Sequence, residues 1–176
     1  MNTIAIVDYG MSNLSSVVKA VEYVAPNQKV IISSNPKEID NADKIIFPGQ
    51  GAARKCINSI FDKNLDKVIK KISNEKPFLG ICMGMQVLMD YSEENNGTDC
   101  LGLIKGKVKK FQSTQKNQMK IPHMGWNKIS KRNEHPIWNK IDNDSYFYFV
   151  HSYFIEPDDK TTVSYTHLTL PTKRIV

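Results

Sequence analysis

The sequence predicts an α/β protein: a mainly parallel sheet flanked by helices, with antiparallel strands added in its second half. Two observations carry this expectation. In the first hundred residues, short continuous runs rich in Ile and Val alternate with helical spacing, the pattern of strands covered on both faces. After Leu101, strand-like segments follow one another with no long helix between them.

Taken in order, "TIAIVDY" (Thr3 to Tyr9) reads as the first buried strand, and Gly10 breaks it. Ser12 or Asn13 can cap a helix, in which Leu14, Val17, Val18 and Val21 recur at amphipathic spacing. "KVIIS" (Lys29 to Ser33) and "KIIFPG" (Lys44 to Gly49) are the second and third strands, the latter stopped by Pro48 and Gly49. Ala53 to Ser73 reads as one helix, with Leu65, Val68, Ile69 and Ile72 on one face. "PFLGIC" (Pro77 to Cys82) is the fourth strand, and "MGMQVLMDY" (Met83 to Tyr91) the next helix. "GLIKGKVKKF", "PHMGWNKIS" and "SYFYFVHSYFIE" are the later strands.

A chain of 176 residues, 40% hydrophobic and 24% charged, fits one globular domain with a full core. The net charge of +6 could point to nucleic acid, but the lysines of "DKVIKKIS" and "KGKVKKFQ" fall opposite apolar positions, as on solvated faces. No recognition helix, zinc finger or RNP pattern accompanies them, so no nucleic-acid partner is expected. No run reaches membrane-spanning length, and "MNTIAIVDYG" enters a strand without a signal pattern. Three cysteines, an odd number, argue against a disulfide framework. The expectation is a cytoplasmic protein without membrane association, metal or cofactor.

Gly80-Ile81-Cys82-Met83-Gly84 has the G-x-nucleophile-x-G form, with a thiol where hydrolases of another fold carry serine. It sits where that pattern belongs, at a strand end and a helix start. A sharp turn holds the nucleophile strained, side chains two residues away would collide with it, and a following helix N-terminus favours thiolate. Taken alone, the pentapeptide fits equally a small buried thiol at a strand end. "FPGQGA" (Phe47 to Ala52) ends the preceding strand in a glycine turn. Neighbouring strand ends of a doubly wound sheet share one ligand-binding edge, so such a turn can aim amides at an oxyanion beside Cys82. By itself it is also an ordinary loop.

Together, "FPGQG" and "FLGICMGMQ" resemble the class I glutamine amidotransferases, in which a cysteine hydrolyses glutamine to glutamate and ammonia. Within them, "IVDYGMSNLSSVVKAVE", "IPHMGWNKI" and "YFYFVHSYF" are similar to the glutaminase subunits of imidazole glycerol phosphate synthases, of histidine biosynthesis. The anthranilate and guanine nucleotide amidotransferases share the elbow but are not expected to carry "HMGWN". The resemblance implies Cys82 as the nucleophile that forms a glutamyl thioester. It implies oxyanion donors at Gly49, Gln50, Gly51 and Met83. Gln86, His151, Ser152 and Tyr153 would bind the glutamine substrate. His123, Met124, Gly125, Trp126 and Asn127 would face a (βα)8 cyclase subunit in a heterodimer. On the residues alone, Trp126 fits a core and His151, between aromatics, a structural histidine.

The chain departs from the family at its end. The His-Pro-Glu segment that supplies the base and its orienting acid is absent: His135-Pro136 is followed by Ile137, and His167 lies in "YTHLTLPTKRIV", which matches nothing expected there. Residues 1–165 therefore read as an amidotransferase domain without its last strands and closing helix, and 166–176 as a diverged or non-native tail. The expectation is a glutaminase subunit without turnover as the chain stands; the alternatives are a protein that binds glutamine or the synthase without hydrolysis, or an amidotransferase subunit serving another acceptor, in anthranilate or guanine nucleotide synthesis.

Overall fold

The computed structural model describes residues 2–11, 13–113, 120–132 and 134–160, and the backbone of 165–167. Its first half runs β1 (Thr3–Val7), α1 (Leu14–Val24), β2 (Lys29–Ser33), α2 (Pro36–Asn41), β3 (Lys44–Gly49), α3 (Ala53–Asp62), α4 (Asp66–Glu75), β4 (Phe78–Cys82) and α5 (Met83–Gln86). The rest is β5 (Met89–Ser92), β6 (Thr98–Asp99), β7 (Ile104–Lys110), β8 (His123–Lys131), β9 (Tyr146–His151), β10 (Tyr153–Pro157) and β11 (Tyr165–His167).

The first four strands form a parallel sheet in the order β2-β1-β3-β4. Side chains alternate across β1. Ala5 and Val7 join Ile45, Phe47 and the apolar faces of α3 and α4 (Ile57, Ile60, Ile69, Ile72) in the main core. Ile4 and Ile6 turn to the other face, where Val21, Leu14, Val17 and Val18 of α1 cover them. Each isoleucine so buried contributes about 1.5–3 kcal/mol. That second cover is incomplete, because α1 packs over β1 and its neighbours. Leu79 and Ile81 of the edge strand β4 remain 40% and 41% exposed, so the helical cover expected on both faces does not reach this edge.

Two expected helices are shorter than their apolar spacing suggested. The helix expected over Ala53 to Ser73 is two, α3 and α4, separated at Asn64, whose φ is +54°. The Asn64 amide donates to Phe61 C=O and the Leu65 amide to Ile60 C=O, both at 2.9 Å. These are the paired bonds of a Schellman close, with the buried Ile60 and Leu65 as its apolar contact. The helix expected over Met83 to Tyr91 is a single turn. Its remainder is drawn into a second sheet, β10-β7-β5-β6, where β5 runs parallel to β7 and the Leu101, Leu103 and Ile104 amides donate to Val87 and Leu88 carbonyls.

The third sheet is antiparallel, β11-β8-β9. It meets the second at Phe111, whose amide donates to Ser152 C=O at 3.0 Å and whose ring stacks on Phe154. Helix α1 starts after Asn13, which makes no side-chain cap, and Ser12 lies outside the described residues. Of the expected tail, residues 168–176 also lie outside them, while the backbone of 165–167 pairs with β8. Among the described residues no helix is long and apolar enough to cross a membrane.

Candidate active site

Strand register sets the site. Gly49 pairs with Cys82 across β3 and β4, so the glycine turn and the cysteine end the two strands side by side. Cys82 holds φ +55° and ψ −117°, a conformation costly to any residue with a Cβ, and is exposed. Its flanking glycines are explained by contact. A Cβ on Gly84 would run into Phe47 C=O, and one on Gly80 would stand 3.0 Å from Met85 Cα. Without glycine at both places, the chain could not turn from β4 into α5 against β3. Because α5 is one turn, the dipole expected to favour thiolate shrinks to the free amides of its first residues, beginning with Met83.

The turn beyond β3 is held from three sides. The Gln50 amide donates to Met11 C=O at 2.7 Å, and the Cys56 thiol to Gln50 C=O at 3.5 Å. The Ala53 amide, at the start of α3, donates to a Glu94 carboxylate oxygen at 2.7 Å. Of the expected oxyanion set of Gly49, Gln50, Gly51 and Met83, the Gln50 amide is the one that donates to Met11 C=O. Beneath the turn lies Tyr9, fully buried, its hydroxyl so close to Gly49 that a Cβ there would collide with it. Among the described residues the hydroxyl has no oxygen or nitrogen partner, and it faces the Cys56 thiol. Burial pushes both groups upward, and the Glu94 charge raises Cys56 further.

Gln86, on α5, is buried, and its Oε1 has no hydrogen-bond partner among the described residues. An amide oxygen withdrawn from water without a donor is costly, and a bound ligand's N–H would relieve it. His151, Ser152 and Tyr153 stand on a different sheet from Cys82. The phenol of Tyr153 is raised by burial and then by the nearby Glu94 and Glu93 charges, so it faces the same acidic turn that caps α3. His151 Nδ1 lies 2.9 Å from Tyr153 C=O, and its Nε2 lies 3.0 Å from His123 Nδ1. Alternation along β8 divides the expected interface. Met124 and Trp126 point outward, 60% and 66% exposed, while His123 and Asn127 lie on the opposite face, bonded to each other.

Tyr9, Cys56 and Glu94 escaped the sequence reading. Tyr9 and Glu94 stand far along the chain from Gly49 and Ala53, and Cys56, six residues past Gln50, belongs to no motif whose spacing marks it. Met11 is signalled only by its place just past β1, at the same strand edge.

A parallel α/β sheet that ends in a strained, exposed thiol beside a glycine turn has the geometry of a strand-to-helix elbow. The chain belongs to the class I glutamine amidotransferase family, whose model, described as "Glutamine amidotransferase class-I", matches residues 5–175. It is 49% identical over 162 residues to the imidazole glycerol phosphate synthase subunit HisH of Hydrogenovibrio crunogenus, which covers 92% of this chain and 76% of that one. The HisH subunit of Nitrosococcus oceani is 46% identical over 164 residues, 93% of this chain and 78% of its own. Among solved structures, one titled as a glutamine amidotransferase superposes with a TM-score of 0.59 over 83% of this chain and 70% of that chain. At 12% identity it speaks for the fold alone.

Proposed function

We propose that the chain is a glutaminase-type subunit that passes ammonia to a (βα)8 cyclase subunit in imidazole glycerol phosphate synthesis. The Cys82 sulfur attacks the carboxamide carbon of glutamine, the C–N bond breaks, and ammonia leaves a glutamyl thioester that water converts to glutamate. Gln86 receives the substrate's amino-acid end together with the His151–Tyr153 segment, and the Met83 amide with the glycine turn receives the oxyanion. The outward face of β8 and β9 (Met124, Trp126, Tyr146, Tyr148, Val150) is the docking surface, since ammonia must pass between sites without meeting bulk water. The observation that carries this reading is the strained, exposed Cys82 in register with Gly49.

One observation favours a second reading, binding without turnover. The rings of His123 and His151 are bonded to each other, and His135 Nδ1 accepts the Ile137 amide, so the described imidazoles are bonded elsewhere than to the Cys82 thiol. A glutamine-like chloroketone separates the elements of the proposal. Mass mapping is expected to find Cys82 alkylated ahead of the buried Cys56 and of Cys100, whose thiol burial pushes up to about 11. Faster modification of Cys56 or Cys100 would remove the nucleophile assignment. Glutamate release with the cyclase present, abolished by Cys82→Ala, selects the glutaminase. Labelling without release selects the binding subunit.

A further inference from the structure

The seam between β8 and β9 holds two imidazoles whose protons can be placed by chemistry alone. His123 pairs with His151 in the antiparallel register, with His123 Nδ1 3.0 Å from His151 Nε2. A carbonyl oxygen only accepts, so His151 Nδ1, 2.9 Å from Tyr153 C=O, carries a proton. In a neutral ring that makes His151 Nε2 the acceptor, and His123 Nδ1 carries the next proton. His123 Nε2 then accepts from the Asn127 side-chain amide, which lies against it. With both rings neutral, only this direction satisfies all the links: Asn127 to His123, His123 to His151, His151 to Tyr153.

From this chain we infer that His123 and Asn127 are positioning residues for the step from β9 to β10. They lock the His151 ring as its Nδ1–H tautomer, and that ring in turn fixes the Tyr153 carbonyl around Ser152. The rest of the surroundings agree. Phe111 meets the His151 ring edge-on at 4.9 Å while its amide holds Ser152 C=O, so the step is gripped on both sides. Phe149 packs on both imidazoles, at 5.4 Å and 5.7 Å. Burial lowers the affinity of both rings for a further proton, and of the described titratable groups it is His123 that bears on His151. One added proton is accommodated only when Asn127 turns its oxygen to His123 Nε2–H, the second proton then resting on His123 or, with the His123–His151 link reversed, on His151. The function of the step rests on the proposal that residues 151–153 hold the amino-acid end of glutamine.

The test uses the full chain carrying Cys82→Ser, with its histidines labelled with nitrogen-15. At pH 7.5, long-range nitrogen–proton spectra are expected to show His123 and His151 both neutral and both protonated at Nδ1. A neutral Nε2–H tautomer in either ring overturns the inference. In Asn127→Asp the carboxylate can only accept, so His123 Nε2 must carry a proton and the pair takes one up: an imidazolium is expected at His123 or His151, with the midpoint of that ring raised by at least one pH unit. Unmoved midpoints at both rings overturn the inference as well. Glutamine affinity, measured by calorimetry, reads the consequence. His123→Ala is expected to weaken binding about tenfold, while His123→Gln, whose amide can still donate to His151, stays within about twofold of the parent. Equal losses, or no loss in the alanine variant, overturn the positioning role. If the parent binds no glutamine at all, the functional proposal fails while the tautomers still decide the geometry.

Discussion

The site depends on a single absent methyl group at Gly84. A Cβ there would stand 2.8 Å from the Phe47 carbonyl carbon and 3.1 Å from that of Pro48, both backbone atoms of a central strand that cannot swing aside. Gly84→Ala should therefore push α5 off β3 and cost at least about 2 kcal/mol, the range of overpacked sites. A urea titration of the variant beside the parent checks this, and an unchanged midpoint would show that the elbow has slack. Local steric rules of this kind are legible from sequence. Gly80, Cys82, Gly84, Gly49 and Gly51 lie in two short motifs whose spacing alone implies a strained nucleophile and a turn. Tyr9 and Cys56 obey no such spacing. They reach Gly49 and Gln50 because β1 and β3 end where α3 begins, a fact of topology rather than of pattern.

At the scale of elements, Asn64 decides where one helix becomes two. Its left-handed backbone closes α3 and lets Leu65 fold back over Ile60. Asn64→Gly should be neutral or stabilising by up to about 1 kcal/mol, because glycine adopts that conformation freely. Asn64→Ala should lose about 1 kcal/mol. Thermal melts of the pair decide it: equal melting temperatures would mean that the close tolerates any residue. The break hid from the sequence because apolar spacing continues across it, from Ile57 and Ile60 to Val68, Ile69 and Ile72. Periodicity reports which side faces the core, and α3 and α4 face the same core. The parallel strands were legible because they are buried runs. By contrast, β5 was not, since "VLMDY" suits a helix and becomes a strand only through its partners β6 and β7. The short α2 went unread: Asn35 accepts the Lys37 amide at 2.9 Å and Pro36 sits in the first turn, but six residues give no period to read.

On the scale of the whole molecule, the outward face of β8 and β9 is the most apolar exposed surface described. Trp126 and Tyr148 meet there edge to face at 5.5 Å, and Lys128 lies over the Tyr146 ring. A buried indole is a common anchor of protein interfaces, so Trp126→Ala should weaken association with a (βα)8 cyclase subunit by at least tenfold, about 1.4 kcal/mol. Titration of the two proteins checks it. An unchanged dissociation constant in a folded variant would move the docking surface elsewhere. A different consequence follows from the grip that Glu94 and Arg54 make between the two halves of the chain. Arg54 Nη2 donates to Asn95 C=O at 2.8 Å and Gly97 C=O at 2.6 Å, and Glu94 caps Ala53, all across more than forty residues of sequence. Contacts of such separation close late, after the nearer pairing of β3 with β4 has reduced the loop to be closed. They also reopen early. In native-state hydrogen exchange the Ala53 amide and those of residues 94–97 should therefore lose protection together and ahead of β1, as one cooperative unit whose brief opening uncouples the floor beneath Cys82 from the second sheet without unfolding the first.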